Sequence, residues 1–121
     1  MRFLSGVLAF FISALVIEGE PLNVSYALTV DSVILDVRTP DEYMSGHIKG
    51  AINIDFYAPD FQNQVDKLDK DKDYKVYCRS GNRSGQSVNL MKKLGFKNVE
   101  NVGSISQASK NLNLSCDKGP C

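Results

Sequence analysis

The chain has 121 residues, with 14 Lys and Arg against 14 Asp and Glu, one His, three Cys and no Trp; 43% of it is hydrophobic and 23% charged. That balance excludes a disordered tail, a collagen-like repeat and a coiled coil, and the length suits one domain. A formal charge of zero argues against a nucleic-acid binder, whose affinity rests on a basic surface that displaces counterions, and three cysteines are too few for a disulfide scaffold yet leave at least one thiol unpaired within the chain.

In chain order, Arg2 is followed by an uncharged run from Phe3 to Ile17 rich in Leu, Phe, Val and Ala. The run is shorter than the ~18–20 apolar residues needed to span a bilayer, and one basic residue before such a stretch is the layout of a secretory signal. We expect residues 1–27 to be that signal, with Ser25 and Ala27 as the small residues before a cut; Ala14 and Gly19 mark other cuts, and an uncut segment would stay as a short anchor. The expected location is periplasmic or secreted, with no membrane attachment after cleavage. Losing residues 1–27 removes Arg2, Glu18 and Glu20 and leaves the charge near neutral.

Ser32–Val37, S-V-I-L-D-V, is a continuous apolar run suited to a buried parallel strand. Thr39-Pro40-Asp41-Glu42 predicts a helix start, with Thr39 as cap, Pro40 in the first turn and Glu42 completing a capping box; Gly46 stops the helix. Ala51–Ile54 predicts a second strand. Phe61, Val65 and Leu68 fall on one helix face. Lys67 to Lys75 alternates in charge, so it reads as a solvated helix end and loop. Tyr74–Cys78 predicts a third strand, Arg79–Gly85 a loop, and Val88, Leu90, Met91 and Leu94 a helix face ended by Gly95. Val99–Val102 predicts a fourth strand and Ser104–Leu112 a last helix capped by Ser104. This alternation argues for an α/β fold with a mainly parallel sheet, in which sites form at the carboxyl ends of strands. Cys78 stands at such an end.

The string Cys78-Arg79-Ser80-Gly81-Asn82-Arg83-Ser84-Gly85 carries its own chemistry. Gly81 allows a turn in which successive N–H groups point inward as an anion-binding nest. The helix that follows adds the positive end of its dipole, and Arg79 and Arg83 add charge. A cysteine so placed has a depressed pKa and serves as a nucleophile for an anionic substrate; the bland alternative is a small buried hydrophobe at a strand end.

Asp36-Val37-Arg38, Glu42-Tyr43, Gly46-His47-Ile48-Lys49-Gly50-Ala51-Ile52-Asn53-Ile54, the run Val76–Ser84 and Leu94-Gly95-Phe96 together resemble a single-domain rhodanese over roughly residues 32–112. With an export signal, the chain is most similar to the periplasmic, phage-shock-type members. The resemblance implies a small three-layer rhodanese-like fold, with a mainly parallel central sheet and helices on both faces, over residues 28–112, and a tail at 113–121. It implies a thiosulfate sulfurtransferase in which Cys78 takes a sulfane sulfur as a persulfide and passes it to cyanide or a thiol. In that reading Arg79, Ser80, Gly81, Asn82 and Arg83 cradle the sulfur anion, and Asp36, Arg38, Glu42 and His47 are structural, with Arg38 paired to Glu42 and His47 a positioning residue rather than a base. The partners are a small anionic sulfur donor and a thiol or cyanide acceptor, with no cofactor, no metal and no nucleic acid, and the chain is expected to be a monomer. Two features depart from the family: Val102-Gly103-Ser104-Ile105 replaces the usual Gly-Gly with a nearby Trp, and only Leu22–Val30 is available for the elements that usually precede the first strand.

Two rivals remain. A cysteine-dependent phosphatase of related fold carries Cys-x5-Arg, one residue longer than Cys78 to Arg83, and needs an acid for its leaving group. A persulfide carrier for a partner protein needs the same reactive Cys78. In the tail, Cys116 and Cys121 flank Asp-Lys-Gly-Pro; they read as a disulfide in an oxidising compartment, as a poorly supported metal pair, or as a resolving thiol for Cys78. Asn23 and Asn113 open glycosylation sequons that matter only in a eukaryotic secretory pathway.

Overall fold

The computed structural model describes residues 32–121. The expected signal over residues 1–27, its cleavage sites, the Asn23 sequon and the Leu22–Val30 stretch lie outside the described residues.

Four strands form a parallel sheet. They are β1 (Ser32–Asp36), β3 (Ile52–Asn53), β4 (Asp73–Cys78) and β5 (Asn98–Ser104), in the order β3-β1-β4-β5. β1 and β4 lie in the middle, and their apolar residues alternate between two buried faces. On one face Leu35, Val37, Tyr74, Val76 and Cys78 pack with Phe61 and Val65 of α2 (Phe61–Asp66) and with Val88 and Met91 of α3 (Asn82–Lys93). On the other, Tyr77 and Val102 pack with Ala108 of α4 (Ile105–Leu112), with Ile48 of β2 (His47–Ile48), and with the half-buried Tyr43 of α1 (Pro40–Ser45). Helices therefore cover both faces, giving the three layers expected of this α/β chain.

The local signals act as the sequence predicts at several ends. Thr39 caps α1 through a capping box with Glu42, with Pro40 in the first turn. Ser104 caps α4 the same way with Gln107. Helix α2 spans less than two turns, too short to stand on propensity, and is held by burial of Phe61 and Val65; Leu68 packs on that core from beyond its end. The loop expected at Arg79–Gly85 is shorter: α3 already begins at Asn82, where the first-turn N–H groups of Asn82, Ser84 and Gly85 bond the Ser80 hydroxyl, the Cys78 sulfur and the Gly81 carbonyl. In β5 the register with β4 shifts between Val76 and Tyr77, whose partners are Asn101 and Gly103. Val102 is the extra residue of this β-bulge.

The tail expected outside the domain belongs to the fold. Cys116–Asp117 forms β6, which pairs antiparallel with β2, Ile48 opposite Cys116 and His47 opposite Asp117. Leu114 and Cys116 pack on the second core. A disulfide joins Cys116 to Cys121. Lys118 Nζ donates to the Met44 carbonyl and Ser106 Oγ to the Cys121 carbonyl. Apolar residues at 112, 114 and 116 are the period-two signal that a polar reading of the tail passes over.

Candidate active site

Cys78 ends β4 and is fully buried. The chain turns at once through Arg79-Ser80-Gly81 into α3, and the sulfur sits under the first turn of that helix. Gly81 N–H donates to Sγ at 3.0 Å, and the Ser84 N–H and hydroxyl lie at 3.4 Å from it. Gly81 caps α3 with φ of +100°, the left-handed region that favours glycine. A Cβ there would also lie 3.4 Å from Gly103 Cα, so the loop is close against the end of β5. Burial pushes the Cys78 thiol up, yet the Ser84 hydroxyl and the N–H groups of Ser84, Gly81 and Ser80 outweigh it and hold the thiol below its ordinary value. Donors aimed at a sulfur from the foot of a 12-residue helix favour the charged form.

Asn101 of β5 clamps this turn. Its Nδ2 donates to the Gly81 carbonyl at 3.1 Å, and its Oδ1 accepts from the Ser84 hydroxyl at 2.7 Å and from Gly103 N–H at 3.0 Å. Gly103, with φ of +89°, lies in the left-handed region that favours glycine, and a Cβ there would displace Gln107 Oε1 from the α4 capping box. The Gly-Ser here, where the family has Gly-Gly, thus keeps the glycine that this backbone favours and uses the second position as a helix cap.

The arginines are placed differently from the sequence expectation. Arg38 pairs with Asp36, not with Glu42. Its Nε and Nη2 grip both Asp36 oxygens at 2.7–3.1 Å, and Nη2 also donates to the Gly46 carbonyl. Both residues are buried at the end of β1, where an unpaired Asp36 carboxylate would be costly, and position i+2 points Arg38 back along the same side. Glu42 instead reaches across 41 residues to Arg83, accepting at 2.8 and 3.1 Å. Arg83 foremost, with the Thr39 N–H and hydroxyl, holds the Glu42 carboxyl at about 2 against the opposing effect of burial. The Arg83 guanidinium also stacks over the Tyr57 ring at 5.4 Å. Its charge is therefore matched by Glu42, while Arg79 is exposed and has no carboxylate partner among the described residues. Ser80 Oγ accepts from Asn82 N–H at 3.3 Å, tightening the turn.

The His47 ring is held between α1 and the tail. It stacks on Tyr43 at 3.6 Å, its Nδ1–H donates to the Tyr43 carbonyl at 2.8 Å, and its Nε2 faces Asp117 of the tail at 3.8 Å. The sequence passed over Tyr77, Ser84 and Asn101. Tyr77 donates to Asp36 at 2.7 Å and accepts from Ile48 N–H at 3.0 Å, tying the buried pair to β2. Ser84 had one available signal, its place in the third helical position after a nest glycine.

Residues 25–110 match the family model for the rhodanese-like domain. The chain is 37% identical over 71 residues to the thiosulfate sulfurtransferase PspE of Escherichia coli, which spans 59% of this chain and 68% of that protein. It is 31% identical over 105 residues to a sulfurtransferase of Allochromatium vinosum, over 85% of this chain and 96% of that protein. Among solved structures, a rhodanese with anions from E. coli superposes with a TM-score of 0.59 at 33% identity, covering 73% of this chain and 99% of the other. A parallel sheet covered on both faces, a cysteine under a helix start, and these likenesses agree: the chain belongs to the family of rhodanese-like domains.

Proposed function

We propose that the protein is a sulfurtransferase that moves a sulfane sulfur from thiosulfate, or another sulfane donor, to cyanide or a thiol through a persulfide on Cys78. The observation that carries the reading is the sulfur itself, at a strand end with N–H donors of Gly81 and Ser84 aimed at it. Its two similar relatives named for sulfur transfer, one of them for thiosulfate, support the donor class. In the first half-reaction the Cys78 thiolate attacks the outer sulfur of thiosulfate. A new S–S bond forms, the donor's S–S bond breaks, and sulfite leaves with the electron pair. The charge then lies on the outer sulfur of the persulfide. In the second half-reaction cyanide or a thiolate attacks that sulfur, leaving as thiocyanate or a new persulfide and returning Cys78 as thiolate. Both halves balance without a cofactor.

Within this scheme Gly81, Ser80 and Asn82 supply the backbone turn, Arg79 the free positive charge, and Arg83 the anchor that ties the loop to α1. The engagement of Arg83 by Glu42 disfavours a phosphatase, whose loop arginine has to grip phosphate. The Cys116–Cys121 bridge supports a periplasmic or secreted location, where disulfides persist, and removes both tail cysteines as resolving thiols.

Intact mass after thiosulfate treatment tests the proposal. One added sulfur atom is expected, absent from Cys78→Ser. Steady-state thiocyanate production from thiosulfate and cyanide separates an enzyme from a carrier that needs its protein partner. Hydrolysis of an aryl phosphate with thiosulfate left untouched would overturn the reading.

A further inference from the structure

The Ser84 hydroxyl has one proton to donate and two acceptors in reach, Cys78 Sγ at 3.4 Å and Asn101 Oδ1 at 2.7 Å. The Asn101 amide cannot turn over. Its Oδ1 is fixed by the Gly103 N–H, and its Nδ2 by the Gly81 carbonyl; exchanging the two ends would set donor against donor and acceptor against acceptor. Ser84 is fully buried, so its proton needs a partner at every stage.

We infer that Asn101 is a positioning residue that acts on Cys78 through Ser84: its carboxamide oxygen holds the Ser84 proton while Sγ is neutral and yields it to Sγ when the sulfur is a thiolate. The inference rests on Cys78 being the reacting group and deepens that reading. At the thiolate stage the hydroxyl turns to the sulfur, a better acceptor once charged. In the persulfide Sγ has two covalent bonds and no charge, and the hydroxyl returns to Asn101. Thus the donor count at Sγ follows the reaction without a buried hydroxyl left unpaired. Other charges about the sulfur are few. Arg83, whose field reaches it, is matched by Glu42; Arg79 adjoins it in the chain; and the core cluster that holds Cys78 is otherwise apolar apart from the tyrosine of β4.

The test is a double-mutant cycle on thiol acidity, with no sulfur donor present. The rate of iodoacetamide alkylation of Cys78 is followed against pH in the wild type, Ser84→Ala, Asn101→Ala and the double variant. Cys78 is the only thiol outside the disulfide, and Asn101 is exposed, so truncation spares the core. Ser84→Ala is expected to raise the midpoint by about one unit. The change caused by Asn101→Ala should lie about half a unit or more lower with Ser84 present than with Ser84 removed, because only Ser84 can exploit the missing competitor. Equal changes in both backgrounds, or a larger rise with Ser84 present, would reduce Asn101 to a prop for Gly81 and overturn the inference. If Asn101→Ala does not fold, Asn101→Ser, too short for its oxygen to reach Ser84 in the same way, takes its place in the cycle. A persulfide is nowhere involved, so failure of the cycle and failure of the sulfur-adduct experiment are separate results.

Discussion

Glu42 joins three parts of the molecule, and its replacement by Gln isolates the charge. The carboxylate accepts from both Arg83 nitrogens and from Thr39, and its pKa stands at about 2 against the ordinary 4.5. At ~1.4 kcal/mol per unit, the displacement carries at most about 3 kcal/mol at neutral pH. The Glu42 side chain is 27% exposed, and solvent screening reduces that to about 1–2 kcal/mol. Because the folded-state pKa is depressed, the contribution is complete above pH 4.5 and is lost as pH falls toward 2, with about half gone near pH 3. A domain of this size moves by ~4–8 °C per kcal/mol. Glu42→Gln should therefore melt roughly 5–15 °C below the wild type at pH 7, and the gap should close as the pH is lowered through the acid range. Thermal melts of both proteins from pH 7 to pH 2.5 measure it, with other carboxylates cancelling in the difference. Coincident melts at pH 7, or a gap unchanged at pH 3, would refute the assignment of this ion pair as the tie between α1 and the cysteine loop.

Three further outcomes follow from the packing. Tyr77→Phe strips the hydroxyl that serves both Asp36 and Ile48 N–H; it should cost about 2–4 kcal/mol in urea unfolding at an unchanged m-value. Gly103→Ala forces a Cβ onto Gln107 Oε1 at a positive φ; it should destabilise by about 1–3 kcal/mol, with amide exchange rising first at Ser104 and Gln107. Reducing the Cys116–Cys121 bridge reopens a short loop worth about 2 kcal/mol by chain entropy; it should speed exchange of Lys49 N–H, which donates to the Ser115 carbonyl across β2 and β6, while leaving alkylation of Cys78 unchanged.

What the sequence discloses here is local. The apolar run of β1, the Thr39–Glu42 capping box, the Ser104 cap and the cysteine at the end of β4 each depend on neighbours within about four residues, and all four stand in the structure as read. The contacts it hides span distance. Whether Glu42 meets Arg38 or Arg83 depends on where β1 and α3 come to rest, and chain proximity pointed to the nearer arginine. Asn101 carries no motif, since its role exists only because β5 brings it beside Gly81 and Ser84. β6 hides for another reason: two residues of antiparallel pairing draw on backbone groups that every sequence possesses, and only the spacing of Leu114 and Cys116 hints at it.

The bulge at Val102 divides the β4–β5 ladder into two segments in series. Before it, Asp73–Val76 pairs with Asn98–Asn101 and serves the hydrophobic interior; after it, Tyr77–Cys78 pairs with Gly103–Ser104 and aims the sulfur. A bulge absorbs an offset locally instead of passing it down the strand. A slight shift of β5 along its axis is thus taken up at Val102 before it reaches the pairing of Tyr77–Cys78, whereas Asn101, on the near side of the bulge, carries it to Gly81 and Ser84. The ladder that aims the sulfur is therefore insulated from the rest of the strand pairing, and Asn101 is a point at which the near segment still meets the reactive loop.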